Sequence, residues 1–338
     1  MPVEGLTGRP GRGNSLLMTA LRFAGYGPDC HRPATAPTPD TDGATSASAV
    51  SAGGRYMHKL PADVESMRAL LEGYSGIPAE DVDRHVYQMR DRLWDVYPYA
   101  CVGRFRFASL EFASDAYYQV ALFKLLQAQT ESDDGGSTCL LDVGCCVGQV
   151  LRKLAFDGVD SSRLYGTDIE PRFIDIGYDL FRDRRKFRGS FVVGDLLRPD
   201  NPTSSSSNSS SPGSEALDAL DGKMTLIHAT SFFHLFTWGD QVRAAVRLVR
   251  FLRADRADVM VFGRHVGTVA PRWDGGGKAG SDKVYLHNGE SWQRLWDEVG
   301  ERTGTRWRTT MEPTEKIETG AGGVESSLRK MSFCVLRA

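Results

Sequence analysis

The sequence predicts an α/β fold: a mostly parallel sheet flanked by helices, closed by an antiparallel C-terminal hairpin and preceded by a helical segment. Three observations predict it. Residues 140–149, Leu-Leu-Asp-Val-Gly-Cys-Cys-Val-Gly-Gln, read as a strand end, a glycine turn and a helix start. Three successive short apolar runs each end in an acid, Asp142, Asp168 and Asp195. Short apolar runs then alternate with helical stretches until two final strand-like runs, Arg306–Thr310 and Ser332–Leu336.

In chain order, residues 1–58 are rich in Pro, Gly, Ala, Ser and Thr and, apart from an apolar patch at Leu16–Phe23, carry few core-forming residues. They are read as a disordered tail. Residues 59–136 are read as an N-terminal helical cap or lid, with helices over Ala62–Tyr74 and Ala79–Val96, each with Pro at or beside its start. In the second, Val82, Val86, Met89, Leu93 and Val96 make one buried stripe. An aromatic stretch follows with Tyr97, Tyr99, Phe105, Phe107 and Phe112. It either packs across the sheet edge or covers a site, and the two readings do not exclude each other.

Residues 137–338 are read as one ligand-binding domain. Thr138 to Leu141 form a buried strand, and Gly144 and Gly148 punctuate a tight turn. Val150, Leu151, Leu154 and Phe156 are spaced for one buried helix face, which Gly158 is placed to stop. A second strand runs from Leu164 to Asp168, and Pro171 opens a helix with Phe173, Ile174, Ile176, Leu180 and Phe181 inward. Phe191–Val193 and Met224–Ala229 are the third and fourth strands, and Val259–Phe262 the fifth. Val242, Val246, Val249 and Leu252 mark one intervening helix; Trp292, Leu295, Trp296 and Val299 mark another. Flexible insertions are predicted near 199–215, which is rich in serine, and near 267–283, which contains Gly275-Gly276-Gly277.

A strand, a glycine turn and a helix N-terminus let backbone approach a nucleotide-like ligand closely. The spacing is not the dinucleotide GxGxxG: the glycines at 144 and 148 flank Cys146 in a GxGxG frame whose middle glycine is replaced. Asp142, two residues before the first glycine, suits the ammonium end of an amino-acid ligand and would repel a pyrophosphate. That favours S-adenosylmethionine over NAD. Asp168 is placed to accept hydrogen bonds from both ribose hydroxyls, and Asp195 one from the adenine amino group, with Ile169 and Leu196 beside them. All three acids would sit at the carboxyl ends of the strands, where open α/β sheets bind ligands.

With these residues in view, the chain resembles the class I S-adenosylmethionine-dependent methyltransferases over roughly residues 137–338, by element order as well as motif. The resemblance implies a Rossmann-like seven-stranded sheet, mostly parallel with a terminal antiparallel hairpin. A narrower resemblance is to fungal secondary-metabolite methyltransferases, especially meroterpenoid-pathway enzymes that esterify a carboxylic acid. It rests on Tyr97–Phe107, Asp142-Val143-Gly144-Cys145-Cys146, His228–Phe236 and Phe262–Gly267. The Cys-Cys pair is typical of that group, and the resemblance also implies a homodimer.

The balance of 41 basic and 43 acidic residues gives no electrostatic case for nucleic acid. No apolar stretch approaches the ~20 residues of a membrane span, and no convincing signal peptide precedes the domain. The six cysteines lack a CxxC frame, so reduced thiols, no metal and a cytoplasmic location are expected. The expected partner is a small-molecule acceptor. Transfer from a sulfonium requires a nucleophile held roughly 3 Å from the methyl carbon with water excluded. A carboxylate needs no base, only a donor or cation to orient it, whereas a phenol (ordinary pKa about 10) benefits from one. His234, just beyond the fourth strand, is the candidate base or orienting donor, and Arg264, at the end of the fifth, the candidate carboxylate clamp. His228 reads as a core histidine. The alternatives are a hydroxyl or phenol O-methyltransferase on a polyketide, with His234 as base, and a non-catalytic methyltransferase-like protein.

Overall fold

The computed structural model describes residues 55–130, 138–198, 214–270, 272–274, 284–317 and 327–338. The predicted tail lies outside them except for residues 55–58, and so does most of the 199–215 insertion. Residues 55–58 are pinned: the Met57 amide donates to the Gly103 carbonyl and Arg90 donates to the Met57 carbonyl.

Before the sheet come helices α1 (Glu65–Gly73), α2 (Ala79–Val96), a single turn α3 (Ala100–Gly103) and α4 (Ala116–Thr130). The alternating part runs β1 (Leu140–Val143), α5 (Gln149–Phe156), β2 (Leu164–Asp168), α6 (Pro171–Phe181), β3 (Ser190–Val193), α7 (Ser214–Asp218) and β4 (Leu226–His228). It continues with α8 (Trp238–Phe251), β5 (Met260–Thr268), β6 (Arg272–Asp274), β7 (Val284–Leu286) and α9 (Gly289–Thr303). The chain ends with β8 (Trp307–Lys316) and β9 (Leu328–Arg337).

Seven strands form one sheet in the order β3-β2-β1-β4-β5-β9-β8. The first five are parallel, and β9 inserts antiparallel between β5 and β8. This is the sheet the resemblance implied. Order reverses at β1, because the chain moves outward through β2 and β3 and then returns to β4; ligands bind in the crevice opened by such a reversal.

Side-chain alternation gives the sheet two apolar faces. Leu140, Leu226, Met260 and Phe262 join one core with α1, α2, α5 and α6; Leu141, Ile227, Val261 and Val335 join the other with α8 and α9. The α2 stripe of Val82, Val86, Met89 and Leu93 is buried in the first of these cores. The 59–136 segment therefore shares its apolar core with the α/β part. Phe105, Phe107 and Phe112 are buried in the same core, on a face of the sheet rather than across its edge, while Tyr97 and Tyr99 stay partly exposed.

Several boundaries differ from the sequence reading. Strand β5 extends past Phe262 to Thr268 because β9 pairs with its whole length, and β8 lengthens likewise. The predicted loop at 267–283 thus contributes the end of β5 and strand β6, which pairs with β7; residues 275–283 lie outside the described part. Phe156 is 43% exposed, since it occupies the last turn of α5, and Leu154 carries the buried face there. No helix among the described residues is long and apolar enough to cross a membrane.

Candidate active site

The glycine turn leaves β1 at Gly144 and enters α5 at Gln149. Gly144, Cys146 and Gly148 all take left-handed backbone, with φ of 65°, 49° and 66°. Cys146 holds this at a cost of roughly 1–2 kcal/mol for an L-residue, and a specific bond opposes that cost: its amide donates to Asp168 Oδ2 at 2.8 Å. Gly148 is confined by packing, since a Cβ there would lie 2.5 Å from Arg152 Nη1.

Asp168 ends β2, and its other oxygen, Oδ1, accepts the Glu170 amide at 3.0 Å. A carboxylate offers about four lone-pair sites, so acceptor capacity remains beyond these two bonds. Burial raises the Asp168 pKa, partly opposed by the Glu170, Cys146 and Ile169 amides. Ile169 is 44% exposed beside it, an apolar surface at the strand edge. Tyr99 reaches this place from the N-terminal segment: its ring lies 5.8 Å from Phe173, and burial, then the Asp168 charge, raises its pKa. The sequence marked Tyr99 only as part of the aromatic stretch that either packs or covers a site. Asp195 follows β3 and its Oδ1 accepts the Leu197 amide, with Leu196 buried.

Asp142 is placed differently from expectation. Its carboxylate is only 3% exposed, and Oδ1 lies 2.7 Å from His228 Nδ1. The two residues are direct partners in the β1–β4 register, so parallel strands in phase put both on one face. His228 Nε2 lies 2.8 Å from Thr230 Oγ1. The core histidine is thus satisfied at both nitrogens, by a partner that the sequence reading had reserved for the ligand's ammonium.

Behind the turn, Arg152 and Asp183 form a buried two-point ion pair at 2.9 and 3.1 Å. The Arg152 guanidinium packs over Phe187 and Phe191 at 4.5 and 4.9 Å, and the Tyr74 hydroxyl donates to Asp183. This pair, which no spacing in the sequence revealed, ties α1 and α5 to the loop after α6.

His234 and Arg264 fall on opposite faces of the sheet. His234 is 6% exposed, its ring 6.4 Å from that of His265, and its Nδ1 has no hydrogen-bond partner. Burial pushes its pKa down to about 4, so at neutral pH the ring is uncharged and a weak base. Arg264 follows Met260 and Phe262 on the other face, among acids of the N-terminal segment. Its Nε is 3.4 Å from Asp115 without hydrogen-bond alignment, and Nη1 is 4.0 Å from Glu111. The structure brings together Asp142, Gly144, Cys146, Gly148 and Asp168; it does not bring His234 and Arg264 together.

Residues 55–108 match the family model described as the meroterpenoid methyltransferase N-terminal domain. The chain is 39% identical over 263 residues to the O-methyltransferase phiE of Fungal sp., covering 77% of this chain and 80% of that protein. It is 33% identical over 293 residues to the O-methyltransferase atr3 of Stereocaulon alpinum, covering 83% and 75%. Among solved structures, the citrinin polyketide synthase CMeT domain superposes with a TM-score of 0.43 at 15% identity, over 80% of this chain and 66% of that one.

Proposed function

This chain belongs to the family of fungal methyltransferases that includes phiE and atr3, and on that premise we propose that it esterifies a carboxylic acid on a bulky apolar small molecule, with S-adenosylmethionine as methyl donor. When bound, that cofactor supplies an electrophilic sulfonium methyl group.

The residues present fit it. Asp168 is a half-buried carboxylate with acceptor capacity left over, the pattern a ribose diol would complete. Gly144 is exposed, so backbone at the turn is open to close approach. Ile169 offers its exposed side chain to the flat face of a base, and Asp195 lies just past the next strand.

What supports the acceptor class is the burial of His234, 6% exposed with Nδ1 unpartnered. A ring whose pKa is held at about 4 removes few protons from a phenol near neutral pH, whereas a carboxylate arrives already ionised. Arg264 keeps a buried Nε–H without a hydrogen bond, a donor suited to an acceptor carboxylate. Tyr99, beside Phe173 and Asp168, and Phe232, beside Gly144, supply apolar surface near the turn, which would keep water from the reacting atoms.

The product class is the test. Purified protein with S-adenosylmethionine and a panel of aromatic and terpenoid carboxylic acids, each paired with its phenol or alcohol counterpart, should yield methylated products that mild alkali hydrolyses. Products that all survive alkali, as methyl ethers do, would replace the ester reading with the hydroxyl one.

A further inference from the structure

The carboxylate of Asp142 is the root of a chain of hydrogen bonds that ends on the segment after β4. His228 Nδ1 meets Asp142 Oδ1 at 2.7 Å, and Nε2 meets Thr230 Oγ1 at 2.8 Å. Thr230 Oγ1 in turn accepts the Arg264 amide at 3.1 Å. In the neutral ring the donors run one way: Nδ1–H to the carboxylate, the threonine O–H to Nε2, and the Arg264 N–H to the threonine oxygen. His228 is 2% exposed and packs against Phe262 and Phe112 at ring distances of 5.2 and 6.1 Å, which leaves the imidazole little freedom to turn.

The residue after Thr230 is strained. Ser231 has φ of 56°, a left-handed conformation that costs an L-residue roughly 1–2 kcal/mol and persists only where surroundings impose it. Two bonds to Arg264 impose it: the Ser231 amide donates to the Arg264 carbonyl at 2.7 Å, and Thr230 accepts the Arg264 amide. The kink aims Phe232 at the glycine turn, where a Cβ on Gly144 would sit 3.4 Å from Phe232 Cδ2. Phe232 is thereby the contact between the donor turn and the segment after β4.

We propose that His228 and Thr230 are positioning residues: Asp142 orients the imidazole, the imidazole orients the Thr230 hydroxyl, and that hydroxyl locks the Ser231 kink that presses Phe232 toward Gly144. Asp142 then acts on the cofactor through the shape of the wall. The inference rests on the cofactor reading given above and adds to it the residues that set the geometry of that site.

Titration calorimetry with S-adenosylhomocysteine tests it on the full chain. Thr230→Val keeps the β-branched shape and removes the hydroxyl; it should weaken binding ~10-fold, and Thr230→Ser should restore it to within about threefold. His228→Asn retains an amide donor toward Asp142 and loses the bond to Thr230. If the imidazole acts through the hydroxyl, the His228→Asn, Thr230→Val double variant binds no more weakly than His228→Asn alone. A merely structural contribution would give additive losses and no rescue by serine. Thr230→Val binding as tightly as the parent, or additive losses in the double variant, would overturn the coupling while leaving the cofactor reading intact. Absence of binding by the unsubstituted protein would overturn both.

Discussion

At the scale of single residues, the site depends on carboxylates that use backbone amides to hold their place. Asp168 takes one amide on each oxygen, from Cys146 across the turn and Glu170 downstream, so its orientation is set before any ligand arrives. Asp168→Ala removes the proposed ribose acceptor and the partner of a strained residue together. We expect S-adenosylhomocysteine affinity to fall ~10–100-fold, in line with hydrogen bonds to a charged group worth about 1.5–3 kcal/mol. Calorimetry checks this, and unchanged affinity would remove Asp168 from the site. The sequence marked Asp168 because an acid ending a strand after a glycine turn is visible as spacing. Tyr99 carries no such mark, since its place beside Asp168 comes from packing of a segment about 70 residues earlier.

At the scale of elements, the glycine turn is supported from behind. Helix α6 approaches it so closely that a Cβ on Gly177 would lie 2.4 Å from the Val147 carbonyl oxygen. That oxygen belongs to backbone and cannot swing aside. Gly177→Ala should therefore destabilise the protein by ~1–3 kcal/mol, the usual range for overpacking a filled interior. Chemical denaturation measures it, and a variant as stable as the parent would show that α6 is free to shift. The Arg152–Asp183 pair supports the same turn from below, with its charges removed from water by four aromatic rings. Helices α2, α5 and α6 were legible to within a residue or so, because apolar periodicity and Pro or Gly at their ends are local signals. The length of β5 was not, because its last residues are held by pairing with β9, about 65 residues away in the chain.

At the scale of the whole molecule, three buried histidines make stability depend on pH. Burial lowers His234 to about 4 and His287 to about 3, and it lowers His265, whose ring nitrogens make no hydrogen bond. In the unfolded chain each ring titrates near pKa 6.5. Below that pH the unfolded state binds protons that the native rings refuse, so stability is complete above about pH 6.5 and falls on acidification toward pH 4. Each ring contributes a slope of up to about 1.4 kcal/mol per pH unit across that window. Urea denaturation at pH 7 and pH 5 should show the loss well above the range where carboxylates titrate. A flat profile between those values would mean that the rings protonate without unfolding the core around them.

The sequence by itself determined the order of the seven main strands, most of the helices between them, the glycine turn, the acids at or near the ends of β1 to β3 and, through motif, the family; α4, α7, β6 and β7 were not read from it. What it determined is encoded within a few residues of one another, as periodicity or spacing. Strand parity was legible too: Asp142 follows Leu140 by two, and His228 follows Leu226 by two, so each pair lies on one face. Only the tertiary structure decided what those side chains do there. The register of β1 against β4 makes Asp142 the partner of His228, a shift of one residue in either strand being enough to undo the pairing. Burial, which depends on every element packed around a ring, decided the low pKa of His234.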